Sequence, residues 1–309
     1  MAAGSTIEEN YLKVATVLEI LLGTSVFCVS SLVLAGYSKV YSWRKPFSIL
    51  IMNLLLVDIV NGVIGLLHAV NIKVPDIPNM FRTIFFLQAL FLWVSLITLV
   101  LLNLSRLVGI IAPFRYSSLF SIQKTWILVL ITWITGFVLC FINRFADFAG
   151  NYTYYSVKVL FHISLNVIIL ILAITTLWCL EKNKENHCET RRRATKTVVI
   201  VSVAYFFSYG YYCYVYIVWM IPGLPTSNNP WLKFTAVDKS SLSLAHLFLV
   251  AGSLFNGILL GIQPNIVAAI RHIHVWNYQK EVDRRSRLQV VCSAEKVKQC
   301  PLEHMPKNN

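Results

Sequence analysis

The stretch Leu101-Leu-Asn-Leu-Ser-Arg106-Leu-Val-Gly-Ile-Ile-Ala-Pro113-Phe-Arg-Tyr116 carries a long apolar run to an arginine at its end. A guanidinium placed where a hydrophobic segment leaves the bilayer has to find a partner in every state the protein visits, and such a group marks a conformational switch. The question for the remainder of the chain is whether it supplies the membrane and the partners.

Composition supplies the membrane. Over 309 residues, 57% are apolar and 13% charged, and the mean hydropathy is +0.64, which excludes a soluble globular domain of this size. Apolar stretches of the roughly 20 residues needed to cross the hydrocarbon core run near 13–37, 47–70, 83–112, 124–144, 157–180, 197–221 and 241–270. They are continuous rather than alternating, so the spanning form is the helix, which satisfies its own backbone polar groups. The fold class is all-α: a seven-transmembrane helix bundle over 13–270, preceded by an extracellular N-terminus over 1–12. A short interfacial helix and a cytoplasmic tail are expected over 271–309, where Arg271-His-Ile-His-Val-Trp-Asn-Tyr alternates basic and aromatic residues. The first ten residues carry neither a basic start nor a small-residue cleavage site, which makes the first span a signal anchor.

Charge decides orientation. With the N-terminus outside, 20 of the 27 basic residues lie on the cytoplasmic side, leaving Lys13, Lys73, Arg82, Arg144, Lys158, Lys233 and Lys239 outside. That bias sets the N-terminus out and the C-terminus in. The net charge of +13 therefore reads as topology and attraction to anionic lipid, with no nucleic acid as partner. Asn151-Tyr-Thr, a glycosylation sequon, falls in the expected external loop between the fourth and fifth spans. The sequon at Asn103 is out of reach in mid-membrane. Cys28, Cys140, Cys179 and Cys213 sit in or at the ends of spans, whereas Cys188, Cys292 and Cys300 are cytoplasmic and reduced. Cys292 and Cys300 are weak candidates for palmitoylation.

Across about residues 13 to 280 the chain resembles the rhodopsin-like G-protein-coupled receptors, and odorant receptors in particular. Asn53-Leu-Leu-Leu-Val-Asp58 looks like the family's Asn-Leu-x-x-x-Asp, Ser105-Arg106-Leu107 stands where it has Asp/Glu-Arg-Tyr, and Pro113-Phe-Arg-Tyr116 resembles the Pro-Leu-Arg-Tyr of odorant receptors. Trp133 follows Arg106 by 27 residues, the family's separation, and is read as packing and lipid contact. Arg191-Arg-Arg-Ala-Thr-Lys-Thr197 is similar to the basic approach to the sixth span. Phe207-Ser-Tyr209-Gly210 puts Tyr209 where most relatives have a toggle tryptophan, and Gln263-Pro264-Asn-Ile-Val267 is a degraded Asn-Pro-x-x-Tyr. The resemblance implies a heterotrimeric G protein as partner, and Asp58, Arg106, Tyr209 and Pro264 as activation and coupling residues. It also implies a sodium ion on Asp58, with Asn256 at the same depth. The departures are Ser105 in place of the acidic neighbour, Val267 in place of the tyrosine, no first-helix asparagine near Ser30, and no cysteine at the external end of the third span.

A ligand pocket is expected between facing helices in the outer half of the bundle. Gln88, Ala89, Leu92 and Trp93 recur at helical spacing on the third span; Tyr209, Tyr212, Cys213 and Tyr216 come from the sixth; Ser253, Asn256 and His246 come from the seventh; His68 and His162 come from the second and fifth. Gln88 stands where amine receptors hold an acid, so the lining suits a small neutral or apolar molecule. No lysine lies in 241–270 to bind retinal. His68, His162 and His246 show no carboxylate partner in their spans and no metal-ligand spacing, which argues against a metal hydrolase. No enzyme activity and no cofactor are expected. The reading is a plasma-membrane chemosensory receptor of the odorant type, used in sensory transduction. The alternatives are a non-olfactory orphan receptor for a lipid or peptide and a multi-pass transporter or channel, although internal repeats and matched broken spans are absent.

Overall fold

The computed structural model describes residues 2–40, 45–73, 80–149, 152–182, 189–220 and 236–271. All of the secondary structure described there is helical. Seven helices are long: α1 (Ala2–Val40), α2 (Pro46–Lys73), α3 (Met80–Ile111), α5 (Ile122–Ala149), α6 (Tyr152–Lys182), α7 (Glu189–Met220) and α8 (Ala236–Gly261); α4 (Pro113–Leu119) and α9 (Pro264–Arg271) are short. Among the described residues, five stretches are long and apolar enough to cross a membrane, namely Lys13–Val40, Pro46–Val70, Phe86–Ile111, Ile122–Ile142 and Leu160–Lys182; His246–Gly261 is a shorter apolar helix. The extracellular N-terminus expected over 1–12 is helical from Ala2 and runs straight into the first of them.

Prolines set the breaks. α2, α4 and α9 each begin on one, because a ring that fixes φ and lacks an N–H fits the first helical turn and no later position. α3 stops at Ile111 since Ala112, at φ −135° and ψ 67°, is the residue before Pro113 and is driven out of the helical region. The same rule corrects the seventh stretch. It is no single helix over 241–270: α8 ends at Gly261 and the chain turns at Ile262 and Gln263 before Pro264 opens α9.

α2 and α3 form the middle of the bundle. About 67% of the apolar window of each is buried, against 28% for α1 and α5 and 33% for α6. The exposed faces of those outer helices carry Val17, Leu21, Ile127, Leu130, Ile134, Leu160, Ile171 and Ile174, an apolar surface whose solvent is lipid. The central cluster joins Leu50, Leu54, Leu96, Leu99, Val201, Tyr205, Tyr209 and Leu260, bringing α2, α3, α7 and α8 together.

α1 lies against α2 backbone to backbone. A Cβ on Gly62 would stand 2.8 Å from the carbonyl oxygen of Gly23 and 2.9 Å from the amide nitrogen of Phe27; one on Gly23 would stand 2.9 Å from the carbonyl oxygen of Gly62. Small residues permit this approach where lipid offers no hydrophobic drive for helix association. We expect Gly62→Val to destabilise the purified protein by about 1–3 kcal/mol, read as a fall in thermal midpoint in detergent. Gly210→Ala, whose new methyl meets no atom within 4 Å among the described residues, should be neutral or gain about 0.5–1 kcal/mol from helix propensity.

Candidate functional site

Arg106 lies half-buried five residues before the end of α3. Its guanidinium carbon sits 3.2 Å from the centroid of the Phe47 ring at the start of α2, a cation held on an aromatic face at the helix end. Ser105, in the place of an acidic neighbour, turns its hydroxyl back onto the Leu102 carbonyl at 3.0 Å. One turn earlier the fully buried Asn103 donates from Nδ2 to the Leu99 carbonyl at 2.8 Å and to the Ser202 hydroxyl of α7 at 2.7 Å. Ser202 in turn donates to the Val198 carbonyl at 2.9 Å. α3 and α7 are thus fastened by a buried hydrogen bond next to Arg106. At the same end, Glu181 of α6 accepts from Arg192 of α7 at 2.7 Å and pairs with Lys196 at 3.5 Å.

A polar seam runs along α2. Asn53 donates to the Thr98 hydroxyl at 2.9 Å and accepts from the Trp133 indole at 2.9 Å. Trp133 therefore carries a specific bond to α2 in addition to the packing expected of it, and α2, α3 and α5 are tied at one level. Asp58, at 0% exposure, faces Ser253 and Asn256 of α8, while Asn61 donates to the Ser253 hydroxyl at 3.3 Å. Both carboxylate oxygens of Asp58, both side-chain polar atoms of Asn256 and the hydroxyls of Ser30 and Ser95 are buried without a hydrogen bond of good geometry.

Of the expected pocket residues, Gln88, Leu92 and Ser253 line one cavity of about 20 Å³, with Asn61, Ile64, Tyr205, His246, Leu249 and Val250 completing the wall. This is room for about one water molecule, so the helices are closed upon each other here. Trp93, Tyr209 and Asn256 are buried but do not line the cavity. Trp93 lies ring to ring on His162 at 3.7 Å, His162 stacks with Tyr209 at 5.6 Å and Tyr209 with Tyr205 at 6.2 Å. This aromatic column joins α3, α6 and α7 behind the cavity wall. The side chains of Tyr212, Cys213 and Tyr216 lie outside the described residues, as do Asn151, Cys188, Cys292 and Cys300; for Pro264 the structure gives only the first position of α9.

One partner lies in a span other than those of the histidines, where the sequence reading did not look. His68 and His246 do have a carboxylate partner: Glu19 of α1, whose oxygens lie 2.8 Å from Nδ1 of His68 and 3.4 Å from Nδ1 of His246. Glu19 is wholly buried, both imidazoles are 4% exposed, and their rings stand 4.4 Å apart. The signal was a single acid in the apolar run Val17-Leu-Glu-Ile-Leu21, since an ionisable residue within a span is expensive and marks a site. The partners are 49 and 227 residues away, a distance no spacing rule covers.

The helices long and apolar enough to cross a membrane surround a nearly closed cavity, with a cation near the end of α3. Residues 21–165 match the family described as serpentine type 7TM GPCR chemoreceptor Srx, a chemosensory receptor family of rhodopsin-like type. The resemblance drawn from the sequence holds over that part of the chain, which runs from within α1 through Leu165 of α6 and contains Asp58, Gln88, Trp93 and Arg106. No curated protein matches the chain. We expect Trp133→Phe to keep the ring packing, lose the bond to Asn53 and lower stability by about 1 kcal/mol, measured by thermal unfolding against wild type.

Proposed function

We propose that this chain is a chemosensory G-protein-coupled receptor of the plasma membrane, with seven spans, N-terminus outside and C-terminus inside, that binds a small neutral or apolar molecule and activates a heterotrimeric G protein. The match to a chemoreceptor family over residues 21–165 carries this reading. The arrangement around Arg106 supports it. Ser105 stands in place of the acidic neighbour; Arg106 lies over Phe47, and the buried Asn103–Ser202 bond joins α3 to α7.

Activation is a population shift. The ligand enters beside Gln88, Leu92 and Ser253 and opens the cavity that is now nearly closed. The rearrangement passes through Trp93 and His162 to Tyr209, and the helix carrying Tyr209 moves away from α3. That movement parts Asn103 from Ser202 and frees the end of α3 for the G protein. Tyr212, Tyr216 and Asn256 contribute to the ligand side, and Pro264 sets the break that lets the end of α8 shift. The buried oxygens around Asp58 fit a sodium ion, which Asp58, Ser253 and Asn256 would hold and which would supply charge balance in the resting state. Asn151 is the glycosylation site on the external face.

The test is nucleotide exchange on purified heterotrimeric G proteins by the receptor in lipid vesicles, screened with odorants and lipids. We expect Arg106→Ala to abolish exchange at unchanged receptor density; exchange undiminished by it refutes the coupling role. We expect Ser202→Ala, which removes one neutral bond worth about 1 kcal/mol, to raise basal exchange about fivefold. Asp58→Asn should remove any dependence of basal exchange on sodium against a potassium control.

A further inference from the structure

We propose that Glu19, His68 and His246 form a binding site for a divalent transition-metal ion of the zinc class, clamping α1, α2 and α8 at one end of the bundle beside the ligand cavity.

The three side chains come from three helices, and one donor atom of each lies within 4.8 Å of the others. Two imidazoles and a carboxylate are a ligand set that binds zinc with an open fourth position. Around zinc, with bonds of about 2.0–2.1 Å, donor atoms stand roughly 3.3 Å apart. The two contacts already formed run to different oxygens of Glu19, 2.8 Å from Oε2 to His68 and 3.4 Å from Oε1 to His246, so a small rotation of the carboxylate and an approach of the imidazoles from within 4.8 Å bring the donors to that spacing. Both imidazoles present Nδ1 to the carboxylate. In the metal-free state the Nδ1–H tautomers donate to Glu19; on binding, each neutral ring carries its proton on Nε2 instead and offers Nδ1 as ligand. No proton needs to leave, and the carboxylate, buried in an apolar span, gains a full counter-charge.

The fold places the three at one level. Glu19 lies six residues into the span that starts at Lys13, His68 two residues before the end of the span Pro46–Val70, and His246 at the first residue of the apolar helix His246–Gly261. The backbone contact of Gly23 with Gly62, one turn from Glu19 and some two turns from His68, sets the distance between α1 and α2. His246 also lines the cavity that Gln88 and Ser253 share. A water or a donor atom of a bound small molecule would complete the coordination.

The experiment uses the full chain, purified in detergent, stripped with a chelator and then given Zn²⁺ or Co²⁺ alone; its readout does not pass through a G protein, so it stands apart from the coupling test. We expect about one tightly bound ion per chain by elemental analysis, a higher thermal midpoint with Zn²⁺, and the intense visible bands of tetrahedral Co²⁺. Glu19→Gln and His246→Ala should each weaken binding by at least about tenfold, while His246→Cys should keep the ion and add a thiolate–Co²⁺ charge-transfer band. Wild-type protein that binds no Co²⁺ and shows no Zn²⁺-dependent midpoint overturns the proposal and leaves a hydrogen-bonded carboxylate. So does binding that survives in folded Glu19→Gln and His246→Ala. Should those variants fail to fold, the wild-type Co²⁺ spectrum and the His246→Cys band decide.

Discussion

A polar side chain inside hydrocarbon has to find its partner within the protein, because the solvent offers none. In this chain that constraint falls mainly on α2. Asn53, Asp58, Asn61 and His68 occupy successive levels of the helix, and between them they reach four neighbours: Asn53 bonds α3 and α5, Asp58 and Asn61 face α8, and His68 meets α1 and, through Glu19, α8 again. The apolar residues bring the helices together, and these polar contacts choose which face of each helix turns inward. Sliding or rotating α2 by one residue would strand several of them at once, at a cost per group far above that of an apolar mismatch.

The two ends of the seam differ in kind. Near Arg106 lie an aromatic ring under a cation, an amide on a hydroxyl, and a surface ion pair between α6 and α7. Such contacts are individually weak, which suits an end that has to open. Around Asp58 and Glu19 the groups are ionisable and fully buried, and α1, α2 and α8 are drawn into one unit.

Much of the fold could be read from the sequence, because its strongest determinants are local. Hydropathy placed five long apolar stretches within α1, α2, α3, α5 and α6, although α1 begins eleven residues before the stretch read at 13–37, and the position of Arg106 near the end of α3 followed directly. The proline rule was equally local, yet the seventh stretch was drawn through Pro264 because its apolar residues continue to Ile270; backbone geometry there outweighs hydropathy. The site was legible only where helical periodicity applies: Gln88 and Leu92, four residues apart on α3, do line one cavity with Ser253. Trp93 does not, since its ring turns toward His162 of α6. Glu19 with His68 and His246, and Asn53 with Trp133, were invisible for a common reason. Each is a meeting of helices distant in sequence, fixed by close approaches such as Gly23 on Gly62 that no periodicity encodes.

The proposed mechanism requires the α3–α7 contact at the Arg106 end to open on engagement of a G protein. The most direct measurement is the distance between spin labels at positions 115 and 193, on α4 just after α3 and on α7, in the full-length receptor in lipid nanodiscs, with and without nucleotide-free heterotrimeric G protein. The account predicts a second, longer distance population in the presence of the G protein, enlarged further by Ser202→Ala. A single unchanged distance under both conditions, with labelled receptor shown to be folded, would contradict it.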